Sequence, residues 1–330
     1  MRVTSTDVAR RAGVSRATVS YVLNDTPDQS ISEQTRAAVQ RAARELGYRP
    51  NPSARSLRSG RSDIVLFPLQ DIEMRTALGD IIDRCAAALR RVRLTLVTDF
   101  TSYDVVEERI EAWLRLRPAA VVDLVLPAGD PTRDELLRAG VGVVSLAGAE
   151  PKAGRTPLDA MIGRVRSTQL TYLLGAGHRR IVFAVPQRAY ETHFGAGKKA
   201  AVQRVATKAG ATVSIEDVEL ERDSLRRAVQ RWRSAKPRPQ AICAYNDEFA
   251  IGLLNVCADM GVRVPKDLSV IGVDDVPLAP VVSPSLTTIG YPREEIARLV
   301  ADAITSLVSS DSLEAEFAMP ELSVVVRESA

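Results

Sequence analysis

From Ile64 onward the 330-residue chain alternates short apolar runs with longer stretches of helical periodicity, and this alternation narrows the fold more than any other feature of the sequence. The apolar runs fall at Ile64 to Phe67, Leu94 to Val97, Val121 to Leu126, Val141 to Leu146, Ile181 to Val185, Ala241 to Ala244 and Leu268 to Val273. Between the first two, Met74, Leu78, Ile81, Ile82, Cys85 and Leu89 recur at helical spacing, as do Ile296, Leu299, Val300, Ala303 and Leu307 further on. Repeated strand and helix units of this kind build parallel sheets covered by helices on both faces, because parallel neighbours need a crossover connection. Roughly 265 residues is long for a single sheet, so two lobes are expected, the second beginning near Met161.

The first 60 residues are of another kind. They hold ten arginines, no lysine and five acids, a net charge of +5, whereas the whole chain carries +3 and the remainder therefore −2. A basic head on a nearly neutral body points to a polyanion as the partner of the head. Its residues read as three short helices. Thr4 offers an N-cap with Asp7 three residues on, which predicts a helix from Ser5 to Ala12. Gly13 supplies the turn, and Ser15 caps a second helix running through Val22 and Leu23. Small Ala9, Gly13 and β-branched Val19 have the spacing with which two helices cross closely, a helix-turn-helix. A third helix runs from a Ser32 cap to Leu46 and is stopped by Gly47. Beyond the Tyr48-Arg49-Pro50-Asn51-Pro52 break, the segment from Ser53 to Arg58 is long enough for one or two turns, too few for an independent helix.

These segments carry a resemblance. TSTDVARRAGVSRATVSYVLN, followed by TRAAVQRAARELGYRPNPSARSLRSGRS, resembles the N-terminus of the LacI/GalR bacterial transcription regulators over residues 3 to 62. LGAGHRRIVF, AYNDEFAIG, GVRVPKDLSVIGVDD and SPSLTTI resemble the effector-binding core of the same family. The resemblance implies an α/β protein with a helix-turn-helix head (residues 1–49), a hinge helix and linker (50–61) and a two-lobed core (62–330) similar to periplasmic sugar-binding proteins. The chain would cross between lobes three times, with lobe one at about 62–159 and 290–318 and lobe two at about 160–289 and 319–330, the last piece holding a final strand from Leu322 to Val326. It further implies a homodimer, with a tetramer left open, bound to a pseudo-palindromic double-stranded DNA operator as a repressor.

Carried over residue by residue, the resemblance places Arg16 and Ala17 at the two principal base-reading positions, with Ser20 and Asn24 nearby. Thr4, Ser5, Ser15 and Thr35 match positions that contact the DNA backbone or groove edges, and Tyr21 stands where arginine is commoner. Asn51 and Ala54 fall on the hinge, and Leu57 matches a leucine that wedges between central base pairs. The chemistry agrees with two of these assignments. An arginine entering the major groove can pair bidentately with guanine, and an apolar wedge can unstack a base step.

For the effector, Asn246, Asp247 and Asp274 match positions that bind ligand hydroxyls in relatives. Elsewhere the chain departs from the family pattern. Ile72-Glu73-Met74-Arg75 replaces the usual Asn-Pro-Phe, Thr192-His193-Phe194 stands where a ligand-gripping arginine is usual, and Asp159-Ala160 replaces Asp-Asn. Met74, Arg75, Asp159 and Phe194 are therefore candidates of altered chemistry, and a sugar-like effector, another small molecule and no effector all remain open. The alternatives at the level of function are an effector-independent or architectural DNA binder, and a small-molecule-binding protein with a relic DNA-binding head.

Other functions find little support in the residues. Three separated cysteines (Cys85, Cys243, Cys257) set among apolar neighbours read as buried thiols, and with only two histidines a structural zinc site has no ligand set. Gly195-Ala-Gly-Lys198-Lys199 lacks the spacing of a phosphate loop, and adjacent Asp274 and Asp275 make a poor acid/base pair. Neither an enzyme nor a cofactor is expected. The stretch from Val276 to Pro292 is uncharged but holds four prolines, and MRVTSTDVARR lacks a signal-peptide core, so the protein is expected to be cytoplasmic, without a membrane partner.

Overall fold

The computed structural model describes residues 3–24, 29–48, 62–70, 76–127, 129–147, 156–187, 202–203 and 205–330. They fall into two compact units, one ending at Asp63 and the other beginning at Ile64. The expected hinge, with Asn51, Ala54 and Leu57, lies outside the described residues, as do Met74, Arg75, Phe194 and the Asn24 side chain.

The first unit holds α1 (Ser5–Ala12), α2 (Arg16–Asn24) and α3 (Glu33–Glu45). Each start is fixed locally. The Asp7 carboxylate accepts hydrogen bonds from Thr4 N (2.9 Å) and Thr4 Oγ1 (2.7 Å). Ser15 Oγ accepts from Thr18 N at 3.0 Å, and Ser32 Oγ from Thr35 N at 3.2 Å. Such caps satisfy amides that a helix start leaves orphaned. Gly13 ends α1 at φ +69°, a left-handed conformation that glycine adopts without steric cost, and this turn sends α2 back across α1. Val8 and Ala9 of α1, Val19 and Val22 of α2, and Val39 and Ala42 of α3 close one small core.

The second unit contains two sheets. Strands β1 (Ile64–Pro68), β2 (Thr95–Asp99), β3 (Ala120–Asp123), β4 (Gly142–Leu146) and β10 (Glu314–Phe317) form a fully parallel sheet in the order β10-β4-β3-β1-β2. Strands β5 (Arg180–Val185), β6 (Thr212–Asp217), β7 (Ala241–Ala244), β8 (Ser269–Val273), β9 (Thr287–Gly290) and β11 (Ser323–Val325) form the other, ordered β11-β9-β8-β7-β5-β6. Among the described residues only the β11–β9 pair is antiparallel. In both sheets the first strand lies inside its successor, so the winding reverses between β1 and β3 and between β5 and β7.

Strand alternation sorts side chains onto two covered faces. Val65 and Phe67 of β1 pack with Cys85 and Leu89 of α4 (Thr76–Arg91) and with Ile304 of α10 (Arg293–Ser309). Leu66 points the other way, toward Trp113 of α5 (Val106–Arg115) and Leu136 of α6 (Pro131–Arg138). In the second sheet Val182 and Ile242 meet Leu225 and Trp232 of α8 (Arg222–Ser234) and Leu253 of α9 (Asp247–Asp259). Phe183 and Cys243 face Leu170 and Leu173 of α7 (Pro157–Gly175). Both tryptophans are core residues with a satisfied N–H: Trp113 Nε1 donates to Asp99 Oδ2 and Trp232 Nε1 to Glu216 Oε2, each at 2.9 Å. All three cysteines are buried, and burial pushes their thiols up to about 12 or beyond.

Three strands went unread in the sequence. β6 and β10 are edge strands whose charged and apolar residues alternate over too few positions to stand out, and β9 is a Thr-Thr-Ile-Gly run inside a proline-rich stretch. The run expected to extend to Leu126 ends at Asp123, whose Oδ1 accepts from Leu126 N (3.0 Å) and turns the chain. The chain passes between sheets three times: from β4 through α7 to β5, from β9 through α10 to β10, and from β10 to β11.

Candidate functional site

Two sites follow from this architecture, one in each unit. In the first, burial of Val19 and Val22 turns the opposite face of α2 outward. Arg16, Ala17 and Tyr21 on that face are exposed, with Tyr21 at 38% of its full surface, and Ser20 is half-buried. Positions 16, 17, 20 and 21 fall on one side of a 3.6-residue helix, so these side chains form a single stripe. Thr4 and Ser15 are exposed at the starts of α1 and α2, while Ser5 and Thr35 are half-buried. An arginine at the first residue of a helix that presents such a stripe has the geometry for reading base edges.

The second site lies where the strands of both sheets end. Phe67 and Leu69 at the end of β1, Leu124 after β3, Val185 on β5, and Ala244 and Tyr245 at the end of β7 line one cavity of about 150 Å³. It therefore sits at both points where the winding reverses, the place at which open α/β sheets receive ligands. One stripe of α7 runs along its wall: Leu158, Met161, Ile162 and Val165, then Arg166 and Gln169. These positions are three or four residues apart or adjacent on one face. The start of α7 is bonded to the first lobe, Leu158 N donating to Leu124 O at 3.0 Å. Its later turns pack under the second sheet, so the helix spans the two.

The expected effector residues divide. Asp274 lines the cavity; Asn246, Asp247 and Asp159 do not. Asn246 caps α9, its Oδ1 accepting from Phe249 N (3.0 Å). Asp159 closes a capping box at the start of α7, exchanging bonds with Thr156 N (3.1 Å) and Thr156 Oγ1 (3.2 Å). Asp247 is fully buried: Oδ2 accepts from Val276 N at 2.9 Å, and Thr288 Oγ1 lies 2.5 Å from Oδ1. A Cβ on Gly272 would stand 2.0 Å from Asp247 Oδ1, so the glycine makes room for that carboxylate. Burial, reinforced by the neighbouring Asp274 and Asp275 charges, pushes Asp247 up to about 7 against the hydrogen bonds that oppose the shift.

Beside the cavity, Arg293 Nη2 donates to the carbonyl oxygens of Asp274 (2.5 Å) and Asp275 (2.6 Å), and Nη1 lies 3.6 Å from Asp80 Oδ2. Asp274 and Asp275 both have positive φ, 108° and 49°, so the loop ending β8 is strained where it borders the cavity. Sequence reasoning missed the aromatic and aliphatic wall and Arg293. The signal for the wall was present, since the last residue of every strand in a doubly wound sheet is a candidate ligand contact.

A helix-turn-helix head with an exposed arginine-bearing face, followed by a doubly wound two-sheet core, defines a DNA-binding protein with a periplasmic-binding-protein-like body. Comparison with known proteins agrees. Residues 4–51 match the family of bacterial regulatory proteins named lacI, and residues 170–330 match a periplasmic binding protein-like domain. The chain is 30% identical to the HTH-type transcriptional repressor PurR of Erwinia tasmaniensis over 315 residues, covering 91% of this chain and 90% of that one. It is 28% identical to catabolite control protein A of Priestia megaterium, covering 95% of each. A solved complex of the transcriptional regulator CelR with cellobiose is 26% identical, with a TM-score of 0.61 and full coverage of both chains. The lac repressor dimer bound to operator and an anti-inducer, at 22% identity and a TM-score of 0.74, covers 100% of this chain and 99% of that one and shares the fold. The chain belongs to the lacI family and is a DNA-binding regulator of transcription. Among the described residues no helix is long and apolar enough to cross a membrane.

Proposed function

We propose that this regulator is a repressor that binds a pseudo-palindromic DNA operator as a homodimer, and that a small molecule in the core cavity sets its operator affinity. The observation that carries the reading is the placement of that cavity at the winding reversals of both sheets, walled by residues from each. A ligand there touches both lobes and favours one arrangement of them over another. By linkage, a coupling of about 1–3 kcal/mol between ligand and DNA changes operator affinity roughly 5- to 150-fold.

On the DNA side, Arg16 and Ala17 read bases, with Ser20, Tyr21 and Asn24 nearby, while Thr4, Ser5, Ser15 and Thr35 hold the backbone. Asn51, Ala54 and Leu57 act at the hinge, Leu57 as a wedge in the minor groove. On the effector side, Asp274 has the position to contact the ligand, and Met74, Arg75 and Phe194 are the remaining candidates.

The test is selection of bound fragments from a genomic or randomised DNA pool with the purified full chain at physiological salt. A palindromic motif of roughly 14–20 base pairs, sized for two half-sites, is expected. Binding without a motif favours an architectural DNA binder, and absence of binding even with ligand present favours a relic head.

A further inference from the structure

The chemistry of the cavity wall identifies the kind of molecule the core receives. Its strand-end contributors are Phe67, Leu69, Leu124, Phe183 and Val185, joined on the α7 side by Leu158, Met161, Ile162 and Val165. A polyol buried against such a surface leaves its hydroxyls without partners, which disfavours binding.

Among the described residues the polar side chains on this wall are few. Gln169 Nε2 donates to the carbonyls of Ala244 (3.1 Å), Ile271 (3.4 Å) and Gly272 (3.2 Å), so its amide holds β7 and β8 together. Arg166, Asp274, Tyr245 and Tyr291 each interact with other groups of the protein, although the buried Nη1 of Arg166 makes no hydrogen bond among the described residues. Among the described wall residues the formal charges of Arg166 and Asp274 balance. Cys85 adds a thiol that burial pushes up to about 12, neutral at physiological pH and apolar in effect. Met161 and Met319 bring flexible, polarisable side chains suited to packing on a ring. A volume of about 150 Å³ is that of a dry apolar cavity known to accept a benzene-sized molecule.

We propose that the ligand of this cavity is a compact, mainly apolar ring compound with at most one polar group, and not a sugar. The inference rests on the effector reading given above and narrows it to a chemical class.

The test measures thermal stability and operator affinity of the full chain with p-cresol, indole and benzyl alcohol, against glucose and cellobiose at equal concentrations. At least one ring compound is expected to raise Tm, on the order of 5 °C at about 100 times its Kd, with no shift from either sugar. Met161→Trp, placed on the half-buried turn of α7 to fill the cavity, is expected to abolish that shift in a protein whose circular dichroism shows it to be folded. If that variant misfolds, Val165→Phe on the same stripe replaces it. A shift with a sugar, no shift with any ring compound, or an undiminished shift in the folded cavity-filled variant overturns the assignment. The two readouts, Tm and operator affinity, keep this proposal separate from the reading beneath it. A ring compound that raises Tm but leaves operator affinity unchanged upholds the cavity's chemistry and removes the regulatory role. A sugar that alters operator affinity does the reverse.

Discussion

Arg293 holds the two backbone carbonyls of the Asp274–Asp275 turn with one guanidinium nitrogen while the other lies 3.6 Å from Asp80 of α4. Asp80 and the body of α10 belong with the first sheet, and the turn ends a strand of the second, so one side chain fastens the lobes beside the cavity. Its side chain is 19% exposed, which limits solvent screening. Arg293→Gln is expected to weaken ligand binding and to reduce the ligand-dependent change in operator affinity, with a stability loss of roughly 1.5–3 kcal/mol for charged hydrogen bonds. Calorimetric ligand titration beside operator titration checks this; an unaltered coupling would confine Arg293 to a structural role.

Replacing Arg16 with alanine is expected to reduce operator affinity by roughly 1–3 kcal/mol and to relax choice at one base pair per half-site. Binding to operators mutated one position at a time reads out the effect. An equal loss on random DNA would make Arg16 a phosphate contact.

Asp247 gives the stability of the core a pH signature. Its carboxyl is held up to about 7 in the folded chain against an ordinary value of 3.8. The unfolded chain releases its proton first, so the contribution of this group is full below about pH 3.8 and is lost as pH rises through 7. Asp247→Asn keeps an acceptor for Val276 N and a donor for Thr288 while removing the charge. It is expected to flatten the stability profile between these pH values, gaining on the order of 1–3 kcal/mol at pH 8 relative to the parent. Denaturant titrations across that range test the slope.

The buried ion pair of Arg109 and Asp130 supports α6. Arg109 Nη2 lies 2.6 Å from Asp130 Oδ2 and also bonds Thr132 Oγ1 (2.7 Å), and its guanidinium sits 5.8 Å from the Trp113 ring centre. Asp130 Oδ1 caps the helix through Thr132 N at 2.8 Å. Asp130→Ala strands the cation and removes the cap, so a loss of about 3–5 kcal/mol is expected, measurable by urea unfolding.

Gly272→Ala places a methyl where the Asp247 carboxylate sits. A cost of roughly 1–3 kcal/mol is expected, and it should shrink in the Asp247→Ala background, since the clash and its partner are then removed together.

The class of fold was legible because its signals are local and repeated. The caps at Ser15 and Ser32, the turn at Gly13 and the apolar runs of the central strands each specify an element within a few residues, and the structure has an element at each. The edge strands β6 and β10 were illegible for the opposite reason: Glu314–Phe317 is a strand because β4 pairs with it, and its own pattern of two glutamates among four residues says little. The cavity was harder still. Phe67, Leu124 and Phe183 look like ordinary core residues in sequence, and only the winding of both sheets brings them to one place. Asn246 and Asp247 look like ligand contacts, yet their oxygens are taken up by Phe249, Val276 and Thr288, which lie 3 to 41 residues away. Composition cannot separate a carboxylate that faces a ligand from one that holds a loop.

The threefold passage of the chain between sheets bears on how such a protein can be taken apart. The first sheet is completed by β10, which follows nearly all of the second, and the second by β11, which follows β10. No single cut of the polypeptide releases either lobe whole. Recombination that grafts a new specificity onto this DNA-reading head must carry the block from Ile64 to the last strand as one piece, and a protease that nicks one crossover leaves two fragments still interleaved.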